Sequence, residues 1–218
     1  MPTFIPVGAD PIDIQDIKVK GDDLGYGEVQ MWTINADAET DLNFVWLPES
    51  MVNPEDYPGL EEAGWFDEGN WFAADKTFEE GEAYMLNNGK GAGVEITYAG
   101  EVFDGATLVP VSENNYSLSG NMTPVAFDIQ RFVVKGDDLG YGEVQMWTIN
   151  ADAETDLNFV WLPESMVNPE DYPGLEEAGW FDEGNWFAAE HEFLAGDGFM
   201  MNNGKGAGVS LKMPNPME

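Results

Sequence analysis

Residues 19–50 read VKGDDLGYGEVQMWTINADAETDLNFVWLPES, and the same letters return at 134–165. Within this stretch Glu28-Val-Gln-Met-Trp-Thr-Ile34 alternates apolar and polar residues. That period of two belongs to a half-buried strand, and it sets Val29, Met31 and Thr33 on one face. Leu42-Asn-Phe-Val-Trp-Leu47 reads as a second, more buried strand that Pro48 ends. Between them Asn35–Asp41 is short, polar and acidic, which suits a turn joining neighbouring strands. Two strands and an acidic turn, written twice, predict an all-β fold.

The identity is longer than this stretch. It runs unbroken over 56 positions, Val19–Ala74 against Val134–Ala189, at an offset of 115. Beyond Ala74 the copies drift but keep their apolar character: Tyr84 faces Phe199, Leu86 faces Met201 and Ile96 faces Leu211. Apolar-for-apolar exchange of similar volume is what a shared core tolerates. The expectation is two tandem copies of a β-sandwich-like module, residues 1–103 and 104–218, with short helical turns in a long connecting loop. Recombination between tandem copies, a common functional demand or deliberate construction would each produce the identical block. The first copy lacks a counterpart to DGATLVPVSENNYSLSGN, as in a segment cut from a longer array or a terminal unit.

Other segments supply further elements. Val94-Glu-Ile-Thr-Tyr98 alternates as a strand does, and Val125–Val134 is rich in β-branched residues and Phe. Ala83-Tyr-Met-Leu86 runs into Asn87-Asn-Gly-Lys90, where Asn-Gly predicts a hairpin turn. Asn53-Pro-Glu-Asp56 carries an N-cap residue, a Pro and early acids, so one or two helical turns are expected there.

The 218 residues carry a net charge of −34, from 42 acids against eight bases. Such a surface repels phosphate backbones and anionic lipid, so nucleic-acid binding is not expected. It favours cations, basic partners or a high-salt setting. An apolar share of 43% is too rich for a disordered acidic tail. There is no Cys, hence no disulfide framework and no thiolate metal site. No apolar run approaches a membrane span, and MPTFIPVGAD shows neither the basic nor the apolar region of a signal peptide. Membrane insertion is not expected. A tandem array suggests an extracellular or cell-surface location.

Catalysis has little to stand on. The single His, His191, faces Lys76 in the other copy, so a nucleophile–histidine device could operate once at most. The expectation is a protein without enzymatic activity. The run Asn87-Asn-Gly-Lys-Gly-Ala-Gly93 fits neither phosphate-loop spacing and sits between strands.

Two binding readings stand beside plainer ones. Asn35, Asp37, Glu39 and Asp41, with Asn150, Asp152, Glu154 and Asp156, place an oxygen at every second residue. Calcium loops use that spacing to converge alternate side chains on one ion, so Ca2+ is the candidate cofactor. The sixth-position Gly is missing, and the same residues equally make a solvated acidic turn. Gly21–Glu28 could add ligands, or simply bend. Secondly, all eight Trp fall inside the identical blocks. Trp32 and Trp46 lie on strands and are assigned to the core. Tyr57, Trp65 and Trp71, with Tyr172, Trp180 and Trp186, lie in the long polar connection. Flat rings beside Asp and Asn suit a glycan platform; alternatively the connection folds down and these rings seal a second small core.

The order GEAYMLNNGKGAGVEITYAGEV followed by NYSLSGNMTPVAFDIQ resembles tandem β modules of bacterial secreted and surface proteins. The resemblance implies architecture and location, and assigns no residue a role. Taken together these features predict a structural or adhesive tandem-repeat protein with acidic, calcium-binding loops. A carbohydrate-binding module and a salt-adapted acidic protein without a specific ligand are the alternatives. Glycans, or further copies of the chain meeting through sheet edges, are the candidate partners.

Overall fold

The computed structural model describes residues 2–4, 11–35, 37–78, 82–91, 93–97, 108–111, 115–121, 125–150 and 154–215. It is nearly all β, with no helix of seven residues or more among the described residues. In the first half the strands are β1 (Pro2–Phe4), β2 (Ile12–Asp13), β3 (Lys18–Lys20), β4 (Val29–Ile34), β5 (Thr40–Leu47), β6 (Gly64–Asp67), β7 (Phe72–Ala73), β8 (Thr77–Phe78), β9 (Ala83–Asn88) and β10 (Glu95–Thr97). In the second half they are β11 (Leu108–Pro110), β12 (Asn115–Gly120), β13 (Phe127–Asp128), β14 (Val133–Lys135), β15 (Val144–Ile149), β16 (Thr155–Leu162), β17 (Gly179–Asp182), β18 (Phe187–Ala188), β19 (Glu192–Phe193), β20 (Gly198–Asn203) and β21 (Ser210–Lys212). The described strands pair only within their own half.

Each half is built on one six-stranded antiparallel sheet, β1-β9-β4-β5-β6-β7 and β12-β20-β15-β16-β17-β18. The ribbon β2–β8, the ribbon β3–β10 and a 3-10 turn at Ile14–Asp16 contribute to the core on one face of the first sheet. From the sheet this core takes Val29, Met31, Phe44, Trp46, Trp65 and Tyr84; from the covering layer it takes Ile12, Ile14, Ile17, Val19 and Phe78. Val29 and Met31 face inward as the alternation requires. The acidic stretch is the β4–β5 turn, closed by the Asn35 N–H donating to the Glu39 carbonyl.

Gln15 fastens the 3-10 turn to the sheet. Its side-chain amide donates to the carbonyls of Trp65 and Ala74, both at 2.8 Å, and its Oε1 accepts from the Trp65 N–H at 3.0 Å. A Cβ on Gly64 would come within 2.6 Å of Gln15 Oε1, so only Gly lets the amide close in. Gln130 makes the same three contacts with Trp180 and Ala189.

The long connection 48–63 folds onto the other face of the sheet. A 3-10 turn forms at Glu49–Met51, ahead of the expected place. Asn53–Asp56 opens a single helical turn, in which the Asn53 carbonyl accepts from the N–H of Asp56 and of Tyr57. Leu60, Met51, Val52 and Tyr57 then cover Val45, Leu47 and Phe66 in a second small core. Gly59 passes so close to β7 that a Cβ would meet Phe72 at 2.6 Å, and its φ of +88° suits Gly alone.

Three expectations are corrected. Asn87–Lys90 does not turn a hairpin, because β10 pairs with β3 and not with β9; the chain crosses to the covering layer. Val125–Val134 is not one strand: a 3-10 turn at Ile129–Arg131, capped by Asp128, separates β13 from β14. The NYSLSG segment does have a counterpart, since β1 lies beside β9 as β12 lies beside β20. The two large sheets approach where β1 lies near β12, and Ala83 joins the core cluster of the second half.

Candidate functional site

The open part of the outer sheet face carries the candidate site. Residues opposite Val29 and Met31 on β4 are Gln30 and Trp32. Trp32 pairs across the strands with Asn43, so both side chains stand on that outer face. The indole N–H of Trp32 donates to Asn43 Oδ1 at 2.6 Å, and the Asn43 amide donates to Glu68 at 3.0 Å. The Tyr26 hydroxyl donates to the other oxygen of Glu68. Asn87 donates to Gln30 at 3.2 Å on the same face. This row of amide, carboxylate and phenol groups sits on a sheet and is braced by its own hydrogen bonds.

Aromatic rings extend the row. Tyr26 stacks on Tyr57 with centroids 6.1 Å apart, and Tyr57 lies 6.5 Å from Trp71. Phe66 meets both Tyr57 and Trp71 edge-on. Trp71 is 55% exposed and Phe72 54%. The β6–β7 turn presents them: Asp67 Oδ1 accepts from the N–H of Gly69 and Asn70, and the Trp71 N–H donates to the Asp67 carbonyl. Trp71 is thereby held at φ +54°, a left-handed conformation that costs a bulky residue energy. A large exposed ring kept in a strained conformation is an outlier of the kind that binding sites contain.

The second half repeats the arrangement. Trp147 bonds Asn158, Asn158 bonds Glu183 at 3.2 Å, and Tyr141 bonds Glu183. Tyr141 stacks on Tyr172 at 6.0 Å, and Trp186 is 55% exposed at φ +53°. Tyr116 of β12 adds a ring 5.2 Å from Trp147. Partial burial, then the bonded carboxylate, hold the Tyr26 and Tyr141 phenols well above the ordinary tyrosine range, so both stay protonated donors.

The expected platform residues therefore divide. Tyr57, Trp71, Tyr172 and Trp186 lie at the site. Trp65 and Trp180 do not: they are fully buried, each with its indole N–H bonded to a backbone carbonyl, of Ile17 and of Phe132. They belong to strands covered on both sides, a correction to their assignment to the loop. Trp32 is corrected in the other direction, from the core to the outer face. Tyr26, Asn43 and Glu68 are additional members. Asn43 is brought to the site by its cross-strand position opposite Trp32, which only the pairing register reveals.

The acidic turn is arranged differently. Asn35 Oδ1 accepts from the N–H of Asp37 and of Glu39, and Asn150 Oδ1 from that of Glu154, so these oxygens shape the turn. Asp152 lies outside the described residues. Among the described residues no group of three or more His, Asp or Glu side chains is placed to hold a metal ion. In the Gly21–Glu28 bend, Glu28 accepts from the Gly25 N–H at 2.7 Å and lies 3.6 Å from Lys90, whose ammonium donates to the Asp23 carbonyl. Lys205 clips the second bend in the same way. The NNGKGAG loop thus ties down its neighbour.

His191 stands where the first half has Lys76. Its ring meets Phe193 edge-on at 4.5 Å and lies 5.6 Å from Phe159. Lys76 instead pairs with Glu82 at 2.9 Å and lies over Phe78. Burial holds the His191 imidazole below the ordinary histidine range, against the pull of Asp197, Asp128 and Asp156. No helix among the described residues is long and apolar enough to cross a membrane. Comparison of the chain with family models, with curated proteins and with solved structures found no match.

Proposed function

We propose that the chain is a non-enzymatic adhesive protein of the cell surface or extracellular space, whose two repeats each bind a neutral carbohydrate. The observation that carries this reading is the face formed by Tyr26, Trp32, Asn43, Tyr57, Glu68 and Trp71, repeated 115 residues on. Exposed flat rings cover the C–H faces of a pyranose, while the carboxamide and carboxylate groups take its hydroxyls. The rings lie on a rigid sheet and on a turn fixed by Asp67, so little order has to be gained on binding.

The net charge of −34 selects against sulfated or sialylated glycans and leaves neutral ones. It also keeps neighbouring chains apart, which suits a spacer. Two like sites on one chain give avidity on a surface that repeats the same sugar. The test is a panel of neutral oligosaccharides titrated against tryptophan fluorescence and heat. Saturable binding that is lost when Trp71 and Trp186 are both changed to Ala supports the proposal. Silence across the panel at millimolar sugar, or binding that survives the double change, removes it.

A further inference from the structure

The two halves differ at one sheet edge. In the second half, β21 pairs with β14 on one side and with β11 on the other. In the first half, its equivalent β10 pairs with β3 in the same register, and no described strand lies on its other edge. Burial differs between the halves along this edge. Leu211 and Val209 are buried, whereas their equivalents Ile96 and Val94 are half-buried.

The covering strand shows what this edge takes. The Val111 N–H donates to the Val209 carbonyl at 3.1 Å. Antiparallel pairs alternate between hydrogen-bonded and non-bonded positions. Val109 opposite Leu211 is therefore the next bonded pair, and Pro110 opposite Ser210 falls in the gap. Pro110 lacks an N–H at a position where none is needed. By the same register the N–H and carbonyl of Ile96 point away from β3, towards the open side.

We propose that the outer edge of β10 receives one extended strand of the Leu108–Val111 type, donated antiparallel by another polypeptide that carries this linker sequence. The donor's Val109 equivalent exchanges backbone bonds with Ile96, its proline faces Glu95, and its Val111 equivalent donates to Val94. Backbone bonds supply the affinity and the position of the proline sets the register. An open edge of this kind is a pairing template that proteins normally cover.

The test uses the full chain and a synthetic peptide of residues 104–113, DGATLVPVSE, with blocked ends, in 0.5 M NaCl to screen the like charges. The expected result is saturable one-to-one binding by fluorescence anisotropy and slowed hydrogen exchange at the Ile96 amide. Methylating the backbone nitrogen of the peptide's Val109 abolishes it. Ile96→Pro abolishes it too while leaving the β3 pairing intact, because Ile96 is not bonded on that side. Absence of saturable binding, binding without protection at Ile96, or binding undiminished by Ile96→Pro or by the methylated peptide overturns the proposal.

Discussion

Removing the Gln15 side chain is the sharpest test of how the covering layer is held to the sheet. Gln15→Ala deletes three hydrogen bonds, of 2.8, 2.8 and 3.0 Å, to the backbone of Trp65 and Ala74. Each such bond contributes about 1 kcal/mol net, and a buried partner left unpaired costs more. Trp65 itself is fully buried, although the latch is only partly so. A loss of about 3 kcal/mol follows, which lowers the melting temperature of a unit of this size by roughly 10–20 °C. Gln130→Ala is the internal control, because it breaks the same bonds in the other half. The assay is urea and thermal unfolding of both single variants and the double variant. The singles should lose equal stability, and their effects should add in the double. A loss below about 0.5 kcal/mol, or clearly unequal losses, would refute the latch.

Trp71→Gly should abolish sugar binding at the first site yet cost less than about 1 kcal/mol, since Gly relieves the φ of +54°; paired titration and urea unfolding check both halves of this statement. His191 has its folded-state pKa lowered by burial, so the unfolded chain binds the proton more readily. Stability should therefore fall as pH drops below about 6.5. His191→Gln should flatten that part of the pH–stability profile, and an unchanged profile would count against the buried imidazole. Screening of the −34 charge should raise the melting temperature with NaCl. CaCl2 at matched ionic strength should give the same rise, and an additional calcium-specific shift reversed by chelator would instead establish a cation site at Asn35–Asp41.

The strands β4 and β5 with their acidic turn were legible because one face is core and the other is not, which leaves a period of two in the letters. β6 was not legible for the opposite reason. Gly64–Asp67 is buried along its whole length, Trp65 on the main core and Phe66 under the 48–63 connection. A strand buried on both faces carries no alternation, and its setting among Asp, Glu and Gly reads as loop. The Asn-Gly signal at Asn88-Gly89 marked a real change of direction, but local turn chemistry does not say which strand comes next to which. The candidate face was half legible: Trp71 and Tyr57 stood out by type, while Asn43 and Glu68 required the pairing register of β4 with β5 and the fold of the β6–β7 turn.

Fluorine NMR of the chain labelled with 5-fluorotryptophan tests most directly whether two like units present the same rings outward. The eight Trp should fall into four pairs related by the offset of 115. Trp71 and Trp186 should show large solvent-isotope shifts and broaden with a cationic quencher, Trp65 and Trp180 should show neither, and a bound neutral sugar should move the outer-face pairs alone. Solvent-exposed signals from Trp65 and Trp180, or wide splitting of any pair other than Trp32 and Trp147, where the Tyr116 ring lies beside Trp147, would contradict the account.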